Sequence, residues 1–225
     1  MPETSLRLHH ELLLLALHDE KGTLAFGQMI EYGLGGAVLT ELLLDGHVRL
    51  TEPEGWRRRQ FVEVARGTCS DAAMSAALAR IADKRRATPT STVTRFAGIR
   101  ELRRLVATDL ARRGVLQESE RRLLLLFRQR IYPTLDPQPE RAVVARIRKA
   151  VEGSGAVDMR TAALIGIANA TGSLSAIYKR KELRALRARL KVIRDADVGS
   201  KAAREAIEAV TVAIIAATAA AAAAT

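Results

Sequence analysis

The chain has 225 residues, only 4 % aromatics, one cysteine and a formal net charge of +11. That length suits one large domain or two small ones and is enough for a sizeable core, which Leu, Val, Ile and Ala must fill. The lone Cys69 excludes an internal disulfide and a CxxC pair, so a reducing compartment is expected.

The charge is unevenly placed. Residues 1–56 carry three Lys/Arg and nine Asp/Glu, a balance of −6, whereas residues 95–149 carry fourteen and six, a balance of +8. A basic middle seeks a polyanion: nucleic acid, an anionic membrane or an acidic protein. Arg outnumbers Lys and Ala is abundant, so a GC-rich genome is an alternative source of the excess. No N-terminal stretch joins a basic start, an apolar run and a small-residue cleavage site, so no signal peptide is expected.

In chain order, residues 5–17 predict a short helix, 18–22 a turn and 23–26 a short extended piece. Residues 28–45 predict a long helix stopped by Gly46. Gly33, Gly35 and Gly36 lie inside its apolar run. Each costs about 1 kcal/mol relative to alanine in a helix interior, which implies that something approaches this backbone closely. A dinucleotide loop is the competing reading, but the polar, helix-like stretch 28–32 supplies no preceding strand.

Residues 48–50 and 60–64 predict two strands around the turn Glu52-Pro53-Glu54-Gly55. Ser70 is the expected N-cap of a helix running to residue 84, and 88–92, with Pro89, reads as a linker. Residues 94–113 predict one amphipathic helix, with Phe96, Ile99, Leu102, Val106 and Leu110 at threes and fours and Gly114 as its stop. Residues 123–127 and 130–134 predict a hairpin. Helices are expected over 140–151, 158–170, 179–196 and 200–220, with a break at Gly153-Ser154-Gly155. The fold class is therefore mainly α: a single globular helical domain over 5–220 with a few short β-hairpins.

The alanine-rich last segment reads as a packed or fraying helix. Glu205 and Glu208 shorten its apolar stretch, and alanine is barely apolar enough for a bilayer.

Chemistry-bearing clusters are few. His9, His10, Glu11, His18 and Asp19 are the only histidine cluster, and His10 and His18 stand eight apart with leucines between, which is not ligand spacing on a helix. No strand leads into Ser154, and nothing else pairs a nucleophile with a base, so no catalytic residue, metal or cofactor is expected. Arg100, Arg103 and Arg104 stand at i, i+3 and i+4 and would share a helical face. They are either a solvated face or a bidentate phosphate site. In the stretch 121–134, Arg121, Arg122, Arg128 and Arg130 flank apolar Leu124, Leu126, Phe127, Ile131 and Tyr132. It reads as a buried hairpin, a wedge for a headgroup layer or a contact with a second copy of the chain.

The pattern G-L-x-G-x-x-L-x-E-L-x-L-x-G is filled by Gly33, Leu34, Gly36, Leu39, Glu41, Leu42, Leu44 and Gly46. It resembles the signature helix of the Golgi phosphoprotein 3 family. So do the leucine run 13–22 closing in Asp19-x-x-Gly22, the segment 99–116 with its R-x-x-R and G-V-L, and the late helix 157–168. The four motifs follow in order over nearly the whole chain, which looks like a compact, bacterial-type version of the family.

The resemblance implies a non-enzymatic protein held peripherally on the cytoplasmic face of a membrane through phosphatidylinositol 4-phosphate. Anionic lipids, a second copy and client membrane proteins would be its partners. It places Arg100 and Arg103 on the R-x-x-R pair that holds the 4-phosphate, and it implies a protruding hydrophobic hairpin at Leu124–Tyr132. Two positions depart from the family's eukaryotic members: Gly27 stands where they carry Trp, and Gly35 where they carry Arg. Half of the headgroup site is thus retained, which points to anionic phospholipid generally. The rival readings are a winged-helix-like nucleic-acid binder and a purely protein-interaction module. Pro89 and its polar linker separate the upstream helix too far for the short turn of the winged motif.

Overall fold

The computed structural model describes residues 6–17, 29–83, 86–123, 127–195 and 201–223; side chains of 121–129 and of 202 lie outside the description. The expected turn at 18–22, the extended piece at 23–26, and Gly27, Leu124 and Leu126 therefore fall outside the described residues.

Helix α2 (Met29–Leu44) is the centre of the molecule, buried on every side from Gly33 to Leu42. Around it pack α1 (Leu8–Ala16), α4 (Pro89–Ala97), α7 (Met159–Ala170) and α10 (Lys201–Ala223). Its glycines are the reason four helices fit. A Cβ on Gly33 would stand 2.5 Å from Thr171 Cγ2, and one on Gly36 would overlap the Ile214 side chain of α10. One on Gly35 would stand 3.0 Å from Phe96 Cβ and 3.0 Å from the Val93 carbonyl oxygen. The close approach expected from the sequence is thus an approach by three separate elements. Gly46, at φ +70°, ends the helix in the left-handed conformation.

Strands β1 (Val48–Leu50) and β2 (Val62–Val64) pair antiparallel as expected. Helix α3 (Ala72–Ala82) begins one residue later than the sequence suggests: Asp71, not Ser70, is the N-cap, and its carboxylate accepts the Met74 N–H at 2.9 Å. The expected linker at 88–92 is instead the start of α4. Thr88 caps it and Pro89 takes the first helical position, where its missing N–H costs nothing.

The single helix expected over 94–113 is two. α4 ends at Ala97, Gly98 and the following turn break the backbone, and α5 (Leu102–Arg112) restarts so that Leu102, Val106 and Leu110 are buried. The hairpin is shifted toward the N-terminus: β3 (Ser119–Leu123) pairs β4 (Phe127–Ile131), from Ser119 opposite Ile131 to Leu123 opposite Phe127.

The second half holds α6 (Gln138–Glu152), α7 with Asp158 as its cap, a 3₁₀ turn (Ser173–Ala176), α8 (Arg180–Ala185), α9 (Arg187–Asp195) and α10. The helix expected over 179–196 breaks at Leu186. By length and composition, 203–223 is apolar enough to cross a membrane. Here α10 buries Val210, Ala213, Ile214 and Ala217 and packs on α2, α4 and α7. The architecture is mainly α with two short two-stranded sheets among the described residues.

Candidate functional site

Burial of Leu102 turns the start of α5 so that Arg103 and Arg104 face outward. Arg100 lies on the preceding turn, so the three arginines do not share one helical face. Arg103 Nη1 stands 3.3 Å from Glu31 Oε1 in the first turn of α2. Burial pushes the Glu31 carboxyl up, and the Arg103 charge only partly offsets this. Arg104 pairs with Glu101. Further along α5, Arg112 and Arg113 both bind Asp109, at 2.7 and 2.6 Å. Arg100 is exposed and makes no ion pair or side-chain hydrogen bond among the described residues. It stands beside a helix start whose residue Glu101 gives no side-chain cap.

Gly35, matched by the family resemblance to a headgroup arginine, is buried against α4. No side chain at this position reaches the surface beside Arg100 without parting α2 from α4.

The hairpin is tied to the domain at its base, where Gln117 N–H donates to the Pro133 carbonyl at 2.9 Å and Leu116 bridges Thr134. Tyr132 belongs to that base. It is 7 % exposed and joins the core, so it is not part of the protruding hairpin that the resemblance implies at Leu124–Tyr132. The strand ends at Ile131, so Tyr132 follows the chain back toward buried Val115 and Leu116. Ile131 is half-buried and Arg130 exposed. Leu124, Leu126 and the side chain of Phe127 lie outside the described residues.

A buried polar seam under α1 was not foreseen from the sequence. Glu41, with a fully buried side chain, accepts the Leu8 N–H at 2.5 Å, pairs with Arg160 of α7 and lies 3.6 Å from Arg7 Nη1. Arg7 also reaches Asp45 at 2.5 Å. Glu11 binds Arg146 at 2.6 Å; burial nonetheless pushes its carboxyl up. The signal was polar residues inside two otherwise apolar helices, His9-His10-Glu11 in α1 and Glu41 in α2.

Within this seam, His9 Nε2 stands 3.2 Å from Asp71 Oδ2, and His10 Nε2 stands 3.1 Å from Asp109 Oδ2. Burial, with His9 beside it, holds the His10 imidazole down to about 2, so it is neutral. Its Nδ1 accepts the Arg7 backbone N–H at 3.3 Å. Ligand atoms of His9, His10 and Asp71 come within 4.8 Å of one another, a grouping that chain spacing gave no hint of. The residues fit a cation poorly, because Arg7 Nε lies 3.8 Å from the same Asp71 carboxylate.

Comparison with known proteins gives the chain's family. The family model described as Golgi phosphoprotein 3 (GPP34) matches residues 8–210. Vacuolar protein sorting-associated protein 74 of Eremothecium gossypii is 28 % identical over 163 residues, covering 64 % of this chain and 49 % of its own length. The chain thus spans about half the length of that relative.

Proposed function

This chain belongs to the Golgi phosphoprotein 3 family, and from that premise we propose that it is a peripheral membrane protein binding anionic phospholipid headgroups through the basic face at the start of α5. The observation that carries the reading is Arg100. It is exposed and unpaired among the described residues, beside Arg103, whose only ion pair among them is half-exposed. An unpaired guanidinium is free to bind phosphate oxygens bidentately. Arg103 gives up little by turning to a ligand, since an exposed pair contributes about 0–1 kcal/mol. With Gly35 buried, the site recognises phosphate charge more than one particular phosphoinositide. The hydrophobic hairpin would add an apolar contact beside it.

The winged-helix reading gains one feature and loses another. α4 and α5 are joined by only four residues, 98–101, and a hairpin follows, so the distance objection lapses. Yet Glu101 and Asp109 stand on the would-be recognition helix beside Arg104, Arg112 and Arg113, and these acids offset charge that a duplex would need along its whole length.

The deciding experiment is co-sedimentation with vesicles. Neutral vesicles, vesicles containing phosphatidylserine and vesicles containing phosphatidylinositol 4-phosphate are compared with duplex DNA at matched salt. Binding to both anionic vesicle types that fades with salt is expected, since each basic group near the surface contributes about 1 kcal/mol and salt screens it. Equal binding to neutral vesicles, or tighter binding to DNA, would overturn the reading.

A further inference from the structure

A cleft of about 850 Å³ has α7 as its floor and α8, α9 and α10 as its sides. That volume falls within the range of small-molecule sites. Its walls and its rim differ in chemistry. The floor presents Ala162, Ile165 and Gly166, and the sides add half-buried Leu183, Leu190 and Ile207. On α10, Val212 and Ile215 line the cleft yet stay 57 % and 51 % exposed, so apolar surface remains open to solvent there. From Ile207 to Ile215 the cleft side of α10 rises about 12 Å, with Glu208 and Thr211 set among the apolar side chains.

The rim is basic. Arg180, Arg184 and Arg187 line it, are exposed, and make no ion pair or side-chain hydrogen bond among the described residues. Among the described residues two acids line the cleft, Asp195 and Glu208; Asp195 is bound by Arg194 at 2.8 Å, and Glu208 lies on α10, across from the three arginines of α8 and α9.

We propose that this cleft binds a single-chain amphiphile with an anionic head, its alkyl chain on the α7–α10 floor and its carboxylate or phosphate on Arg180, Arg184 and Arg187. The apolar floor gives a free inorganic anion nothing, and the three unpaired guanidiniums give a neutral amphiphile no partner for its head. The site shares no residue with Arg100, Arg103 and Arg104, and it binds monomeric ligand where the α5 face binds a bilayer.

The test is calorimetric titration of the full chain, below micelle-forming concentrations, with dodecanoate, dodecyl phosphate, dodecyl maltoside and inorganic phosphate. Saturable one-to-one binding of the two anionic amphiphiles is expected, at least 10-fold tighter than dodecyl maltoside and with no saturation by inorganic phosphate. The tighter of the two anions tells a fatty acid from a phospholipid source. Val212→Glu with Ile215→Glu should weaken both by 10-fold or more; because both side chains are half-exposed, the thermal midpoint should stay near wild type. Arg184→Ala with Arg187→Ala should weaken the anions and leave dodecyl maltoside unchanged. Equal binding of the neutral amphiphile, wild-type affinity in either variant, or no saturable binding would overturn the proposal. Arg100→Ala with Arg103→Ala should titrate as wild type, so failure on vesicles and failure in the cleft are read separately.

Discussion

Arg160 of α7 reaches Glu41 in the buried middle of α2, across 119 positions of chain, and the same carboxylate accepts the Leu8 N–H that opens α1. One charge thereby fixes three helices in register. We predict that Glu41→Ala destabilises the fold by about 1–3 kcal/mol, because it leaves the buried Leu8 N–H unpaired and takes the acid from half-exposed Arg160, while Arg7 keeps Asp45. Glu41→Gln keeps an acceptor for Leu8 and should cost less. Urea unfolding of both variants checks this, and a Glu41→Ala loss below about 1 kcal/mol would show that the seam is dispensable.

The glycines of α2 give a second prediction. Gly36→Ala gains about 1 kcal/mol of helix propensity but sets a Cβ into the Ile214 side chain, and overpacking costs about 1–3 kcal/mol. Net destabilisation is expected, relieved when Ile214→Ala is added. Additive effects in the double-mutant cycle would place the contact elsewhere. Gly35→Arg meets α4 backbone at the Val93 carbonyl and the Ala97 N–H, so it should disrupt folding and not sharpen lipid selectivity.

How much of this was legible in the chain depends on the range of the interaction. The close approach to α2 was readable because glycines inside an apolar helix sacrifice propensity, and close packing is the gain that offsets the loss. The amphipathic spacing of Phe96, Leu102, Val106 and Leu110 was readable as one stripe, and all four are buried, yet the break at Gly98 divides their helix. Pro89 misled for a related reason. It signals a break before a helix and equally a first helical turn, and only the Thr88 cap decides which. The seam of Arg7, Glu41, Asp71 and Arg160 was not legible, because its partners lie up to 119 positions apart and no local period reports them. For the same reason the exposure of Arg100 could be expected, but not the pairing of Arg103 with Glu31.

His10 makes the fold acid-sensitive. Its ordinary value of 6.5 falls to about 2 in the native state, through burial first and the neighbouring His9 second. Between those values the unfolded chain binds the extra proton, so stability is full above pH 6.5 and declines as pH falls. The slope is about 1.4 kcal/mol per pH unit, which gives a loss of about 2 kcal/mol by pH 5. Asp71 is held below its usual carboxylate range: burial alone would raise it, but the hydrogen bond from His9 and its charge prevail. Its stabilisation is lost at lower pH again. We predict that His10→Asn, which keeps an acceptor for the Arg7 N–H, flattens the dependence between pH 6.5 and 4. An unchanged slope in that variant would remove His10 as the cause.

Tyr132 at the hairpin base is a core residue by its burial. Replacing it with serine deletes a large buried ring, for which related truncations cost about 3–5 kcal/mol. A marked drop in thermal midpoint is expected for Tyr132→Ser, while vesicle binding measured well below that midpoint should persist. A variant that keeps its midpoint but leaves the vesicles would restore the ring to a membrane-facing role.

The sharpest test of the α5 face compares two pairs of exposed cations. Arg100→Ala with Arg103→Ala removes the unpaired guanidinium and its neighbour, whereas Arg141→Ala with Lys149→Ala removes equal charge from α6. Arg189 is unsuitable as a control, because it donates to the Ala150 and Gly155 carbonyls at 3.0 and 2.6 Å and so secures α9. If binding is a diffuse response to net charge, both pairs should weaken it alike, by the same roughly 1 kcal/mol per charge. If phosphate is held bidentately at the start of α5, the Arg100 and Arg103 pair should lose several-fold more affinity for anionic vesicles. Arg100→Lys with Arg103→Lys should then recover only part of it, since an ammonium keeps the charge without the planar fork. Losing Arg103 also takes the cation from Glu31, but that pair is half-exposed on the arginine side and contributes about 0–1 kcal/mol. Thermal midpoints near wild type should therefore accompany the loss. Equal weakening by the two pairs, with full rescue by lysine, would reduce the arginines to a solvated basic face.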